Sequence, residues 1–210
     1  MGKTSLIMAG IMALCLVFSC GAWAGDAGKV GLGVRLSGVN VQDDKINDPA
    51  GNRYNLTYDQ TAEYGINGTY FFLKDFALEL GAEYVKLGAD AGLPSEVQQG
   101  FANITQVPIF LTFRFQPTIS DRWMPYAGVG LGYYFNSADA KEPGMNLDMD
   151  NCVGYHLNTG VELMLKQASA INFDLQYRWA RSQIKEQETG WIEHLDLNAW
   201  TFGVGYKYYF

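Results

Sequence analysis

Trp200-Thr-Phe-Gly-Val-Gly-Tyr-Lys-Tyr-Tyr-Phe210, the end of a 210-residue chain, alternates with period two. Trp200, Phe202, Val204, Tyr206, Tyr208 and Phe210 share one parity; Thr201, Gly203, Gly205, Lys207 and Tyr209 share the other. In a β-strand successive side chains point to opposite faces, so this stretch has one apolar face and one polar or small face. It is long enough to cross a bilayer when tilted, which takes about 9–11 residues. It also runs to the final residue. A soluble protein seldom ends on such a strand, because a flat apolar edge invites aggregation. The stretch therefore predicts the closing strand of a membrane β-barrel.

Working back from it, seven more strands follow the same rule. They are Val30–Ser37, Thr61–Phe72, Phe76–Leu87, Thr105–Phe115, Trp123–Phe135, Asn151–Leu165 and Ala170–Arg181. The cleanest sets Ile171, Phe173, Leu175, Tyr177 and Trp179 against Asn172, Asp174, Gln176 and Arg178. The connections alternate long and short, with long stretches at 38–60, 88–104, 136–150 and 182–195. That is the pattern of an all-β, eight-stranded, antiparallel up-and-down transmembrane barrel with short turns on the periplasmic side and long external loops.

Alternation alone does not say whether the apolar face meets lipid or a protein core. A sandwich alternates too, and a lipocalin-like barrel is apolar inside. Two features favour lipid. Aromatic residues gather near the strand ends, with Tyr70, Phe72, Phe76, Phe115, Trp123, Tyr208 and Phe210 at one level and Tyr84, Tyr133, Phe135, Tyr155, Trp179 and Trp200 at the other. Such girdles mark the two interfaces of a bilayer. The opposite face carries Arg35, Glu63, Glu79, Glu83, Arg114, Glu162, Asp174, Arg178 and Lys207. So many charges do not line a dry soluble core. An eight-stranded interior is just wide enough to be filled by side chains, so these charges are expected to pair across it. The many inward glycines would make room for larger neighbours.

The N-terminus fits an exported protein. Lys3 precedes an apolar run over Leu6–Phe18, and Ala22-Trp23-Ala24 provides a small-residue cleavage site. The expected organisation is a signal peptide at 1–24 and a barrel domain at 25–210, with acylation at Cys20 as the competing reading. Losing 24 of 210 residues leaves 186, and losing Lys3 leaves 14 basic residues against 22 acidic ones, a net charge of −8. An acidic chain of this kind argues against nucleic acid as a partner. Cys15 and Cys20 belong to the leader, so Cys152 is left alone and no intrachain disulfide is expected.

The sequence offers little to an enzyme. His156 takes the inward parity beside Asn158 and Glu162, and His194 falls in the fourth long stretch. No serine stands at triad-like spacing from either. No cofactor or metal site is expected.

The end of the chain, through Phe202, Val204, Tyr206, Tyr208 and Phe210, resembles the terminal aromatic signal that outer-membrane barrels present to the barrel assembly machinery. Four further stretches resemble the OmpW family within the OmpA/OmpX-like small barrels. They are Tyr70–Leu80, Trp123–Tyr133, Asn158–Glu162 and Leu195–Trp200. The resemblance covers essentially the whole mature chain. It implies a bacterial outer-membrane protein, surrounded by lipid and lipopolysaccharide, that passes or binds small hydrophobic molecules entering from outside and leaving sideways into the bilayer. It also implies a mostly apolar upper lumen, for which Val85, Phe110, Tyr126 and Tyr134 are the inward candidates. The alternatives are a sealed, salt-bridged barrel acting through its four external loops as a receptor or adhesin and, more remotely, a lipid A-modifying enzyme.

Overall fold

The structure, a computed structural model, describes residues 26–47, 51, 53–92, 99–120, 122–141, 146–166, 168–187 and 190–210. The leader and the competing acylation site at Cys20 lie outside the described residues. No helix among the described residues is long and apolar enough to cross a membrane.

Twelve strands form: β1 (Val30–Val41), β2 (Asp44–Asn47), β3 (Arg53–Tyr58), β4 (Thr61–Leu73), β5 (Phe76–Gly92), β6 (Gln99–Phe115), β7 (Trp123–Ala140), β8 (Leu147–Met149), β9 (Cys152–Lys166), β10 (Ser169–Glu186), β11 (Ile192–Asp196) and β12 (Ala199–Tyr209). Eight of them make the ring β1-β4-β5-β6-β7-β9-β10-β12, with every neighbour antiparallel. The terminal strand closes it by pairing with the first, from Gly31 opposite Tyr209 to Val41 opposite Ala199. Closure leaves the spanning region without a free edge, which hydrocarbon demands of any sheet. The β4–β5 hairpin turns on Lys74 and Asp75, and Asp75 takes φ 65°, a left-handed conformation that aspartate tolerates.

The long connections differ from expectation. Much of each is strand. β5, β6, β7 and β10 run on well past the outer aromatic girdle. There β3 extends the sheet from β5, β2 pairs β3, and β8 and β11 flank β10. His194 accordingly lies in β11 opposite Gln183, exposed, and not in a loop. β2 and β11 face each other without a ladder, joined by the Asp196 amide donating to Asp44 (2.7 Å) and the Trp191 indole donating to the Asn47 carbonyl (2.7 Å).

At the girdle the alternation changes sense. On β5 the outward residues Leu78, Leu80 and Tyr84 are exposed and apolar, and the inward Glu79 and Glu83 are buried. Further up the same strand the outward positions become Lys86, Gly88 and Asp90, and the buried inward ones become Val85, Leu87 and Ala89. β1 changes from Arg35 and Ser37 inward to Val39 and Val41. The cause is the solvent. Below the girdle, hydrocarbon surrounds the wall and polar groups turn inward. Above it, water surrounds the wall and the apolar groups turn inward.

Candidate functional site: a layered barrel interior

The interior is stacked in three layers. The lowest, at the periplasmic end, is a small apolar plug of Phe71, Ala77, Met124, Ala170 and Tyr209, with Met164 against it.

The middle layer is ionic. Arg114 pairs with Glu79 and with Glu162 (3.0 Å). The Lys207 ammonium donates to Glu79 (2.8 Å), Glu162 (3.0 Å) and the Thr69 hydroxyl (2.8 Å). The Tyr209 hydroxyl donates to Glu162. Above these, Arg178 grips Glu63 with two bonds of 2.9 Å and also reaches Glu83. Arg35 meets Glu83 and Asp174 (3.0 Å). Tyr126 links the two halves: its ring takes the Arg114 guanidinium at 3.7 Å, and its hydroxyl donates to Asp174 at 2.7 Å. Every ring strand contributes, β7 through Tyr126 alone. The nine inward charges read from the sequence thus stand in one network of four cations and five carboxylates. Bare charges would be costly here, and pairing with added hydrogen bonds offsets that cost.

Tyr126 therefore belongs to the ionic layer and not to the apolar lining. Parity placed it inward correctly, but its height sets it between an arginine and an aspartate. His156 sits at the top of this layer, buried, with Nε2 at 2.9 Å from the Thr112 hydroxyl and its ring edge-on to Phe110. Among the described residues no group of three or more His, Cys, Asp or Glu is placed to hold a metal ion. Cys152 is a free thiol.

The glycines of the inner face give the network its room. A Cβ on Gly160 would run into the Phe173 carbonyl and the Tyr126 hydroxyl. Backbone cannot yield as a side-chain tip can. Gly160→Ala is expected to destabilise the barrel by about 1–3 kcal/mol through overpacking, read as an earlier midpoint in urea.

The top layer is the apolar chamber. Its buried members include Leu56, Leu87, Ile104, Phe110, Tyr134, Ile184 and Leu195, joined by Val39, Val41 and Val85. Val85, Phe110 and Tyr134 were legible as inward apolar residues. Most of the rest lie in the stretches read as loops. Phe110 and Tyr134 meet edge-to-ring at 5.7 Å and form the chamber floor, with the Arg178 guanidinium under Phe110 at 4.6 Å. At this level the wall has a flaw. β5 and β6 pair from Phe76/Phe115 to Ala82/Ile109 and again from Val85/Gln106, but Glu83 and Tyr84 have no ladder partners opposite Pro108 and Val107. Proline has no N–H to donate.

Groups of the upper wall, clear of the membrane, are perturbed. Burial pushes the Tyr58 phenol above its usual range, and Asp44, Asp196 and Asp43 nearby add to the shift. The Arg181 guanidinium, donating to Asp196 at 2.6 and 3.2 Å, holds that carboxyl below its usual value.

Comparison with known proteins agrees with this architecture. The family model described as outer membrane protein beta-barrel domain matches residues 10–210. An uncharacterized outer-membrane protein, y4mB of Sinorhizobium fredii (strain NBRC 101917 / NGR234), is 26% identical over 184 residues, covering 84% of this chain and 78% of its own. Among solved structures, OprG of Pseudomonas aeruginosa superposes with a TM-score of 0.72 at 19% identity, over 88% of this chain and 97% of that one. AlkL, solved in lipid bilayers, gives 0.63 at 16% identity over 92% and 95%. The E. coli outer membrane protein W gives 0.57 at 19% identity over 88% and 99%. The chain belongs to the outer membrane protein beta-barrel domain family, shares its fold with the OmpW and OprG barrels, and has its place in the bacterial outer membrane.

Proposed function

We propose that this barrel takes small apolar molecules from outside the cell and releases them sideways into the bilayer, without covalent chemistry. The observation that carries the reading is the apolar chamber resting directly on an ion-paired layer. A molecule that enters such a chamber is favoured by burial against its walls. It is not favoured below, where it would have to displace paired charges that fill the lumen. Through-passage to the periplasm is thereby discouraged. The remaining exit is the wall, and the lapse in the β5–β6 ladder opposite Pro108 lies at the chamber floor, level with the outward Tyr84 and Val107. On this reading the barrel's partners are its solute and the lipid and lipopolysaccharide around it.

The test is uptake of an uncharged apolar fluorophore by cells that express the barrel, against cells that do not. Expression should raise the uptake rate. Pro108→Ala, which restores a backbone donor to β6, should lower the barrel-dependent rate several-fold while leaving folding intact. Equal rates with and without the barrel would sink the proposal and leave the sealed barrel as the better account.

A further inference from the structure

Two hydroxyls at the chamber, those of Tyr58 at its upper wall and Tyr134 at its floor, are buried with no hydrogen-bond partner among the described residues, and the one at the floor is the one its apolar neighbours do not explain. Tyr134 projects inward from β7 and is 2% exposed. Its ring packs edge-on to Phe110 and lies against Gly154, where a Cβ would come within 2.9 Å of it. Its hydroxyl is buried and has no hydrogen-bond partner among the described residues. A phenylalanine would fill the same space without that hydroxyl. Leaving such a group unsatisfied is costly, so its presence asks for a partner that the described residues do not supply.

Several nearby polar groups are committed elsewhere. The terminal nitrogens of Arg178 are held by Glu63 and Glu83. The Gln106 amide donates to Asn136, and the Ser182 hydroxyl donates to the Asp150 carbonyl. What stands out at the floor is a phenolic O–H set among apolar side chains.

We infer that the chamber is made for apolar molecules that carry a neutral oxygen, such as an alcohol, ketone or ester, and that the Tyr134 hydroxyl is the group that recognises it. The inference rests on the passage reading above and adds the class of solute. A hydroxyl of tyrosine can donate to a carbonyl or ether oxygen and accept from an alcohol. A charged head is disfavoured on two counts. Apolar walls do not solvate it. The ionic layer beneath already holds five carboxylates against four cations, which repels a further carboxylate, while Arg178 under Phe110 repels an ammonium.

The experiment compares barrel-dependent uptake of a fluorescent aryl hydrocarbon and its methyl ketone of matched length, each corrected for uptake by cells lacking the barrel. The wild-type barrel should favour the ketone by about three- to tenfold, the worth of one hydrogen bond. In Tyr134→Phe, verified as folded by its gel mobility before and after heating, the ratio of ketone to hydrocarbon uptake should fall to near unity. A preference that survives Tyr134→Phe, or hydrocarbon uptake with no preference in the wild type, overturns the inference and leaves the passage reading standing. Uptake of neither probe overturns both.

Discussion

Arg114→Ala should cost the barrel about 3–5 kcal/mol, the largest loss expected from a single substitution in the lumen. Arg114 is 1% exposed and sits between Glu79 and Glu162, with Tyr126 stacked on its guanidinium. Without it, two buried carboxylates share the one ammonium of Lys207. The penalty arises less from the lost attraction than from the charge left uncompensated, because water cannot enter a packed layer to replace the guanidinium. Arg181→Ala is the control. That arginine also pairs with a carboxylate, Asp196, but in the open above the membrane, where such pairs contribute little. Its removal should leave stability essentially unchanged. Urea titration of vesicle-embedded barrel, followed by the fraction that keeps its unheated gel mobility, measures both. A loss at Arg114 no larger than at Arg181 would mean that water reaches the ionic layer, and the lumen would then be an open path.

The contrast bears on what was legible in the sequence. Within the membrane the two sides of the wall have opposite solvents, so each strand must alternate. Parity alone then sorted the lipid face from the lumen and brought all nine charges inward. The ring is narrow, so inward charges on different strands had to meet. Height was harder to read. Tyr126 and Tyr134 share a strand and a parity, yet one is part of the ionic layer and the other part of the chamber floor. The register that separates them depends on pairing between strands, which one strand does not encode. The chamber itself was hidden because the alternation changes sense at the girdle. Stretches such as Gly88-Ala-Asp90 and Gly100-Phe-Ala-Asn-Ile104 set polar or small residues between the apolar ones and read as loop. The signal was present all the same: Val85, Leu87 and Ala89 continue the inward parity of Glu79 and Glu83 without a break.

That change of sense makes the position of the membrane boundary testable on one strand. On β7, Leu131 and Ser137 point outward with the same parity and both are exposed to the surroundings, Leu131 at 62%. Leu131 pairs with Leu111 on β6, within the apolar belt, whereas Ser137 pairs with Thr105 above the girdle formed by Tyr133 and Phe135. Leu131→Arg should therefore cost about 2–4 kcal/mol, the penalty for an arginine facing hydrocarbon near the bilayer midplane. Ser137→Arg, in water, should shift stability by no more than about 0.5 kcal/mol. The two variants add the same side chain to the same face, so strand propensity and bulk nearly cancel and the difference reports the surrounding solvent. Urea midpoints in vesicles give that difference directly. If the penalties were equal and large, hydrocarbon would reach Ser137, and the chamber, which draws its apolar lining from the same height, would open into the bilayer over its full depth instead of only beside Pro108. If they were equal and small, the belt would not be facing lipid at Leu131, and the layered interior would lose the external reason for its order.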